Sequence, residues 1–510
     1  MDRREFLKLL GALPLAYLLR NTPRRERGVQ NATDLPNILI LVFDTFSAKH
    51  ASLHGYPRET TPNLSRFAER ATVYHAHYAA GNFTNPGTAS LLTGTYPWTH
   101  RALALFSSVL PPYHRRSLFA TLASDKYYSL TYSHNLVAST LFYSFFEDID
   151  HFKKTRDLCL LDHQLSDRLF LGDYDVAVWR ERLFRGGENV RSLPSSPFYY
   201  FVNRKIWLER KKRIQEQYKE RFPRGLPMHH EQIFLLEDAM AWLSEHLRTL
   251  PQPFLGYFHF SPPHYPYNAP SEFVGKFQDE GVLPSKPPHF FSDGHSEAVM
   301  RQKCREYDEY VAYVDREFGR LYDNLSRSGM LENTCLIVTS DHGEMFERGI
   351  IFHSTPTLYE SIIRVPLLIS WPGQERRVDV EMPTSAVDVL PTLLEAADQP
   401  IPTWCEGEVL PGFRETPVDE DRSVFAVEAR SNPYDAPLQR VTLAMIKGRY
   451  KLIHYRGYPG YESEYELYDL VADPEELRDL YDPTWVTCRV LQDELEEKLY
   501  AVNQPYGGKG

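Results

Sequence analysis

The stretch "NILILVFD", Asn37–Asp44, is a short, unbroken apolar run that ends in an acid. That pattern suits a strand buried on both faces of a parallel sheet, with Asp44 at its carboxyl end. "TCLIVTSDHGE", Thr334–Glu344, repeats the design and closes on Asp341-His342-Gly343-Glu344. "FLGYFHFSPPH" (254–264) and "VPLLISWPG" (365–373) are two further strand candidates. Between these runs lie helical patterns. Tyr307, Val311, Val314, Phe318, Leu321 and Leu325 recur every three or four residues, and Gly329 follows where a helix stop belongs. Strands alternating with helices predict an α/β fold with a parallel sheet. Ligands in such folds sit at the carboxyl ends of the strands, so Asp44, Asp341, His342 and His264 are expected to cluster there.

A second stretch, "GNFTNPGTASLLTG" (81–94), reads as a helix entry. Pro86 falls in the first turn, where proline is favoured, and the helix starts beneath Thr84. Free N–H groups and the positive end of the helix dipole would face the Thr84 hydroxyl, a good position for a tetrahedral anion. Asp44, Asp341 and His342 together offer two carboxylates and an imidazole to a divalent cation. A bound cation would lower the hydroxyl's pKa and neutralise ester oxygens. Each residue also has a plainer reading, the acids as strand-end caps and Thr84 as a helix N-cap.

The bounds agree with an enzyme-sized globular chain. Its 510 residues allow two to four domains or one large α/β domain with insertions. A net charge of −11 without an acidic tail argues against nucleic acid as a partner. Five scattered cysteines with no CxxC pair suggest neither a zinc knuckle nor a dense disulfide framework. The opening "MDRREFLKLLGALPLAYLLRN" carries Arg3-Arg4, Phe6, Leu7 and Lys8 before a modest apolar run, the order of a twin-arginine export signal. The expected location is therefore extracytoplasmic, with cleavage, or retention and membrane association through the amino terminus, left open. The expected organisation is a signal or anchor and linker at 1–36, a catalytic domain at 37–400 and a carboxyl-terminal α+β subdomain at 401–510. Residues 151–228 break the rhythm and read as an insertion. Its basic run "RKIWLERKKRIQEQYKERFPRG" (204–225) is either a helix with a solvated face or a lid over an anionic substrate.

Taken in order, "NILILVFDTFSAKHASLHGYPRETTPNLSRF…GNFTNPGTASLLTGTYP", "YDEYVAYVDREFGRLYDNL…LENTCLIVTSDHGEMFERG", "LYESIIRVPLLISWPG" and "SAVDVLPTLLEAA" resemble the sulfatases of the alkaline phosphatase superfamily. "GRYKLIHY…YELYDLVADPEELRDL" is similar to that family's carboxyl-terminal subdomain. The resemblance covers most of 37–485, leaving 151–228 aside. It implies a parallel-rich central sheet flanked by helices, with Asp44, Thr84, Asp341 and His342 on the metal positions and Thr84 on the nucleophile position. His264 matches a histidine that contacts the ester's oxygens or leaving group. His353 lies about one position from a basic residue of the family, while His75, His134 and His259 are expected to be structural. Two departures stand out. The family's Cys-x-Pro-x-Arg, whose cysteine becomes formylglycine, is Thr84-Asn85-Pro86-Gly87-Thr88 here, and the usual second Asp after Asp44 is Thr45. The chain thereby resembles the threonine-nucleophile relatives, phosphoethanolamine and glycerol-phosphate transferases and the two-metal nucleotide pyrophosphatases. The resemblance implies one divalent metal ion (calcium, magnesium, manganese or zinc). It also implies hydrolysis or transfer of an anionic sulfate or phosphate ester, carried by a glycan, a lipid or a small molecule. The alternatives are an exported binding protein for anionic glycans or lipids on the same fold, and an envelope structural protein.

Overall fold

A computed structural model describes residues 35–122, 126–162, 197–230, 232–278, 284–413, 419, 421–461 and 464–507. The Arg3-Arg4 motif lies outside them, as do residues 163–196 of the 151–228 insertion. The central strand β1 (Asn37–Phe43) is fully buried, as its unbroken apolar run predicts. The other strands of its sheet are β2 (Thr72–Tyr74), β3 (Tyr128–Ser133), β4 (His151–Lys153), β5 (Phe254–Phe260), β6 (Thr334–Thr339), β7 (Leu367–Ser370) and β8 (Val378–Val380). Their spatial order is β8-β2-β7-β6-β1-β5-β3-β4. β1 lies parallel between β5 and β6, with Ile40 opposite Tyr257 on one side and Ile337 on the other.

Both faces of β1 are covered, and its side chains divide between them by parity. Leu39, Leu41 and Phe43 pack with Tyr307, Val311, Val314 and Phe318. Those residues belong to the long helix Glu297–Arg327, which Ser296 caps by accepting from the Val299 N–H. The helix closes with Gly329 at φ +70°, a left-handed stop that glycine adopts without steric cost. Ile38, Ile40 and Val42 point the other way, into a cluster with Ala89, Leu91 and Leu92 of α1 (Thr84–Thr93). Each buried aliphatic side chain contributes roughly 1.5–3 kcal/mol, so this strand anchors the domain.

One expectation needs correcting. β7, read from sequence as a further parallel strand, runs antiparallel to both β6 and β2. The sheet is therefore mostly parallel. His151–Lys153, at the start of the proposed insertion, instead adds parallel to β3 as an edge strand. Residues 423–469 form a four-stranded antiparallel meander, Ser423–Glu428, Val441–Lys447, Tyr450–Arg456 and Glu464–Asp469. Leu491, Leu495 and Leu499 of the helix Val486–Asn503 pack on it with Leu443 and Leu467. Lys451 ties this smaller unit to the rest. Its fully buried ammonium pairs with Glu360 at 3.0 Å and with Glu476. All five cysteines are free thiols. No helix among the described residues is long and apolar enough to cross a membrane.

Candidate functional site

Because β1, β3, β5 and β6 are mutually parallel, the loops that follow them meet at one edge of the sheet. Asp44 follows β1, His134 and Asn135 follow β3, His264 lies just past β5, and Asp341-His342 follow β6. The Asp44 N–H donates to the Phe260 carbonyl at 2.9 Å, which fixes the end of β1 against that of β5. The next residue is strained. Thr45, β-branched, sits at φ +62°, and the Tyr307 hydroxyl donates to its carbonyl at 2.6 Å. Such a conformation costs on the order of 1–3 kcal/mol and persists because its surroundings enforce it. It also aims the Thr45 N–H at Oδ1 of Asp341 (3.4 Å), which the His342 N–H reaches as well at 3.0 Å. With Oδ1 so occupied, Oδ2 of Asp341 faces the site.

Four buried atoms converge there without a hydrogen-bond partner among the described residues: Asp44 Oδ1, Asp341 Oδ2, and Nε2 of His342 and of His259. His342 Nε2 stands 3.4 Å from Asp44 Oδ1 and 3.6 Å from Asp341 Oδ2. His259 Nε2 stands 3.6 Å from Asp341 Oδ2 and 3.8 Å from Asp44 Oδ2. His342 Nδ1 lies 3.0 Å from the Gly343 carbonyl, so Nδ1 carries the proton and Nε2 is a free donor pair. Orphaned carboxylate oxygens facing orphaned imidazole nitrogens are a donor set for a divalent cation, and the residues fit one. Charge follows the same pattern. Burial alone would raise the Asp44 carboxyl, but His264, His259 and His342 hold it well below the usual carboxylate range. Burial and then the Asp44 charge push Asp341 up. Burial pushes the His342 imidazole down to about 4, which keeps it neutral and able to ligate.

Thr84 is the first residue of α1, and Phe83 is the cap residue, so the N-cap reading of Thr84 does not describe this helix. Its hydroxyl accepts from the Asn135 amide at 3.2 Å, and the same Nδ2 donates to Oδ2 of Asp44. Asn135 is itself locked. Its Oδ1 accepts from the N–H groups of Val137 (2.7 Å) and Ala138 (3.1 Å), capping α2 (Leu136–Phe142). One rigid amide thus sets the hydroxyl beside the carboxylate. Gly87, in the same turn, lies so close to the β6 loop that a Cβ there would stand 2.1 Å from the Asp341 carbonyl oxygen.

Histidines line the mouth. His264 is partly exposed, with Nδ1 2.7 Å from the Tyr265 carbonyl, leaving Nε2 free. Its ring stands 5.2 Å from that of His353, which in turn lies 4.4 Å from that of His342. His353 Nδ1 is 2.9 Å from Glu344 Oε1, and the Tyr267 hydroxyl donates to Oε2 at 3.0 Å. Burial raises Glu344 to about 8 and lowers His353 to about 3. His229, in the short strand Met228–His229, stands 5.1 Å ring to ring from His264. Its Nδ1 accepts from the Leu136 N–H at 3.3 Å, so Nε2 carries a proton and is a donor.

The structure therefore brings Asp44, Thr84, Asp341, His342, His264 and His353 to one place. His75 is elsewhere, paired with Asp379 at 2.7 Å, and His134 is buried and stacked on Phe234 at 4.0 Å. His259, expected to be structural, instead lies between the two carboxylates. Asn135 and His229 were not anticipated. The only trace of Asn135 in the sequence is its position before an apolar helical run. An open cleft of about 880 Å³ lined by Pro36, Thr72, Asn333 and Trp371 sits at the amino ends of the strands, away from these groups.

Known proteins place the arrangement. The Sulfatase family model matches residues 36–399, and a model described as N-sulphoglucosamine sulphohydrolase, C-terminal, matches 351–505. A choline-sulfatase of Rhizobium meliloti (strain 1021) is 27% identical over 478 residues, spanning 88% of this chain and 83% of the relative. An ulvan-active sulfatase of Formosa agariphila is 24% identical over 506 residues, spanning 96% and 85%. Among solved structures, a phosphonate monoester hydrolase from Silicibacter pomeroyi superposes with a TM-score of 0.63 at 19% identity, covering 92% of this chain and 96% of that one. At that identity the likeness shows the fold alone.

Proposed function

This chain belongs to the sulfatase family, as a hydrolase of sulfuric or phosphoric esters, and we propose that it works through Thr84 at a single divalent cation held by Asp44, Asp341 and His342. The observation that carries the proposal is the Asn135 amide, which donates to both Thr84 Oγ1 and Asp44 Oδ2. It puts the hydroxyl at the rim of the cation site and at the amino end of α1, where backbone N–H groups favour developing negative charge. When bound, the cation would lower the hydroxyl's pKa and neutralise the ester's non-bridging oxygens.

The Thr84 hydroxyl proton passes to the free Nε2 of His264, Thr84 Oγ1 attacks the sulfur or phosphorus, and the bond to the leaving alcohol breaks with its electron pair on that oxygen, which takes the proton from His264 as the threonine ester forms. Water then cleaves that ester and restores the hydroxyl. His264, with its free Nε2 at the mouth, faces the leaving group, and the Nε2–H of His229 donates to an ester oxygen. The relatives, a choline-sulfatase and an ulvan-active sulfatase, support a sulfate ester on a small molecule or a glycan. The Arg3-Arg4 motif supports export. The loss of the family's arginine at Thr88, whose buried hydroxyl has no partner among the described residues, favours a second reading as a binding protein that does not turn over.

A panel of aryl sulfates, phosphate monoesters and diesters, assayed with several divalent metals, separates the two. Mass spectrometry after rapid quench should find a sulfuryl or phosphoryl adduct on the peptide containing Thr84, absent from Thr84→Ala. Turnover without that adduct, and at equal rate in the variant, would remove Thr84 from the mechanism.

A further inference from the structure

The proposed reaction leaves His259 unused, and it is fully buried with both ring nitrogens unpartnered among the described residues. Its Nε2 is 3.6 Å from Asp341 Oδ2 and 3.8 Å from Asp44 Oδ2. His342 Nε2 stands 3.6 Å from the same Asp341 Oδ2 but 3.4 Å from Asp44 Oδ1, the other oxygen of that carboxylate. Neighbouring donors bound at about 2.1 Å to one ion stand roughly 3.0–3.4 Å apart, whether or not a further position stays open for a hydroxyl or an ester oxygen. Each imidazole therefore stands at about that spacing from an oxygen of both carboxylates, and one atom each of Asp44, Asp341 and His259 lies within 4.8 Å of the other two. We propose that His259 is a ligand of the catalytic cation, which makes the site an N₂O₂ site in which an imidazole stands where Thr45 offers no carboxylate.

The competing arrangement is an imidazolium that replaces the cation as counter-ion to the two acids. Geometry opposes it. An imidazolium would draw a carboxylate oxygen into hydrogen-bonding distance, below about 3.2 Å for N–H···O, and here both oxygens lie farther away. Strand geometry supplies the aim. His259 pairs with Val42 across the sheet and shares the face of Tyr257, the face that α1 and Thr84 cover.

The donor set also selects the metal. Calcium takes six to eight oxygens, whereas two imidazoles with two carboxylates suit zinc, manganese, iron or cobalt. The inference rests on the reading that this site holds a divalent cation, and the test separates the two. Elemental analysis of protein purified without chelator establishes stoichiometry first, and no bound divalent ion would end both. Pulsed EPR of protein loaded with one equivalent of Cu²⁺ then counts imidazole nitrogens. Two are expected in the wild type and in His264→Gln, and one in His259→Gln. His259→Asp should shift the competition between Zn²⁺ and Ca²⁺ toward Ca²⁺ by at least about tenfold. One imidazole in the wild type, or two that persist in His259→Gln, would overturn the assignment. If His259→Gln does not fold, two imidazoles retained in the double variant His229→Gln, His264→Gln still leave His259 as the partner of His342, because His229 and His264 are the other histidines grouped with Asp44, and one would refute it.

Discussion

Replacing Gly87 with alanine tests how tightly the proposed nucleophile, Thr84, is held to the proposed cation site. Gly87 lies three residues after Thr84 in α1, and an added Cβ would meet the Asp341 carbonyl oxygen at 2.1 Å. Real Cβ contacts essentially never fall under 3.0 Å, so the helix or the β6 loop must retreat by about 0.9 Å. The retreat separates Thr84 from Asp341 directly, because the residue struck is the one whose carboxylate faces the site. A misplacement of about 1 Å can cost roughly 100-fold in rate, equivalent to about 2.7 kcal/mol of transition-state stabilisation. Stability should move less. Alanine gains up to about 1 kcal/mol of helix propensity over glycine, which offsets part of an overpacking cost of about 1–3 kcal/mol. The assay is kcat/KM on the best aryl ester of the panel, with metal content and thermal unfolding measured on the same preparation. A fall of about 100-fold with a folded, metal-loaded protein is expected. A kcat/KM within threefold of wild type would show that α1 yields without consequence, and the claim that this packing positions Thr84 would be wrong.

Thr84→Ala should lower turnover by several orders of magnitude while metal binding weakens only partly, and Thr84→Ser should retain activity, as steady-state kinetics with elemental analysis would show. Asp341→Ala should remove bound cation and activity together, because one of two carboxylates is lost, and full metal occupancy in that variant would refute the ligand set. Chelation should lower the melting temperature of the wild type, since a ligand bound to the native state at 100 times its Kd contributes about 2.7 kcal/mol, and a melting curve unmoved by chelator and metal would count against the site. Thr45→Gly should raise stability in urea by about 1 kcal/mol by releasing the φ +62° backbone, and unchanged or lower stability would mean that conformation is not strained. Changing Arg3 and Arg4 to Lys should retain the protein in the cytoplasm of a host with a twin-arginine system, whereas unchanged export on cell fractionation would refute the signal.

The sheet was readable because its central strands have no polar face to confuse the pattern. Asn37–Phe43 and Thr334–Thr339 are buried along their whole lengths, so their apolar runs are uninterrupted. The helix over Tyr307–Leu325 was readable because one stripe faces the sheet. β3 escaped notice because "YSLTYS" alternates apolar residues with the buried Ser129, Thr131 and Ser133, of which Ser129 bonds to Asp150 and Ser133 to the Asn135 carbonyl. The direction of β7 left no mark in composition, because Leu367–Ser370 pairs with apolar neighbours whichever way it runs. Asp44, Thr84, Asp341 and His342 were legible because each ends a strand or begins a helix, where backbone geometry exposes a side chain. Asn135 was not, because its two roles, capping α2 and bridging Asp44 to Thr84, are both ordinary for asparagine until the chain is folded.

For His259 the signal was in the sequence and needed only the sheet order to be used. Successive residues of a strand point to opposite faces. In β1, Ile38, Ile40 and Val42 face α1, and continuing the alternation by two puts Asp44 on that face. In β6, Cys335 and Ile337 face α1, and the same count leads through Thr339 to Asp341. In β5, Leu255 and Tyr257 face α1, and the next residue of that parity is His259. Because the three strands are adjacent and parallel, with Val42 opposite both His259 and Thr339, Asp44 and Asp341 reach one level of this face and His259 lies on the same face one side-chain layer below them. A histidine in the apolar run "FLGYFHF" looks like a tolerated core residue when its strand is read alone. Read beside its two neighbours, it is the residue that parity delivers to the pair of buried aspartates, under the helix that carries Thr84.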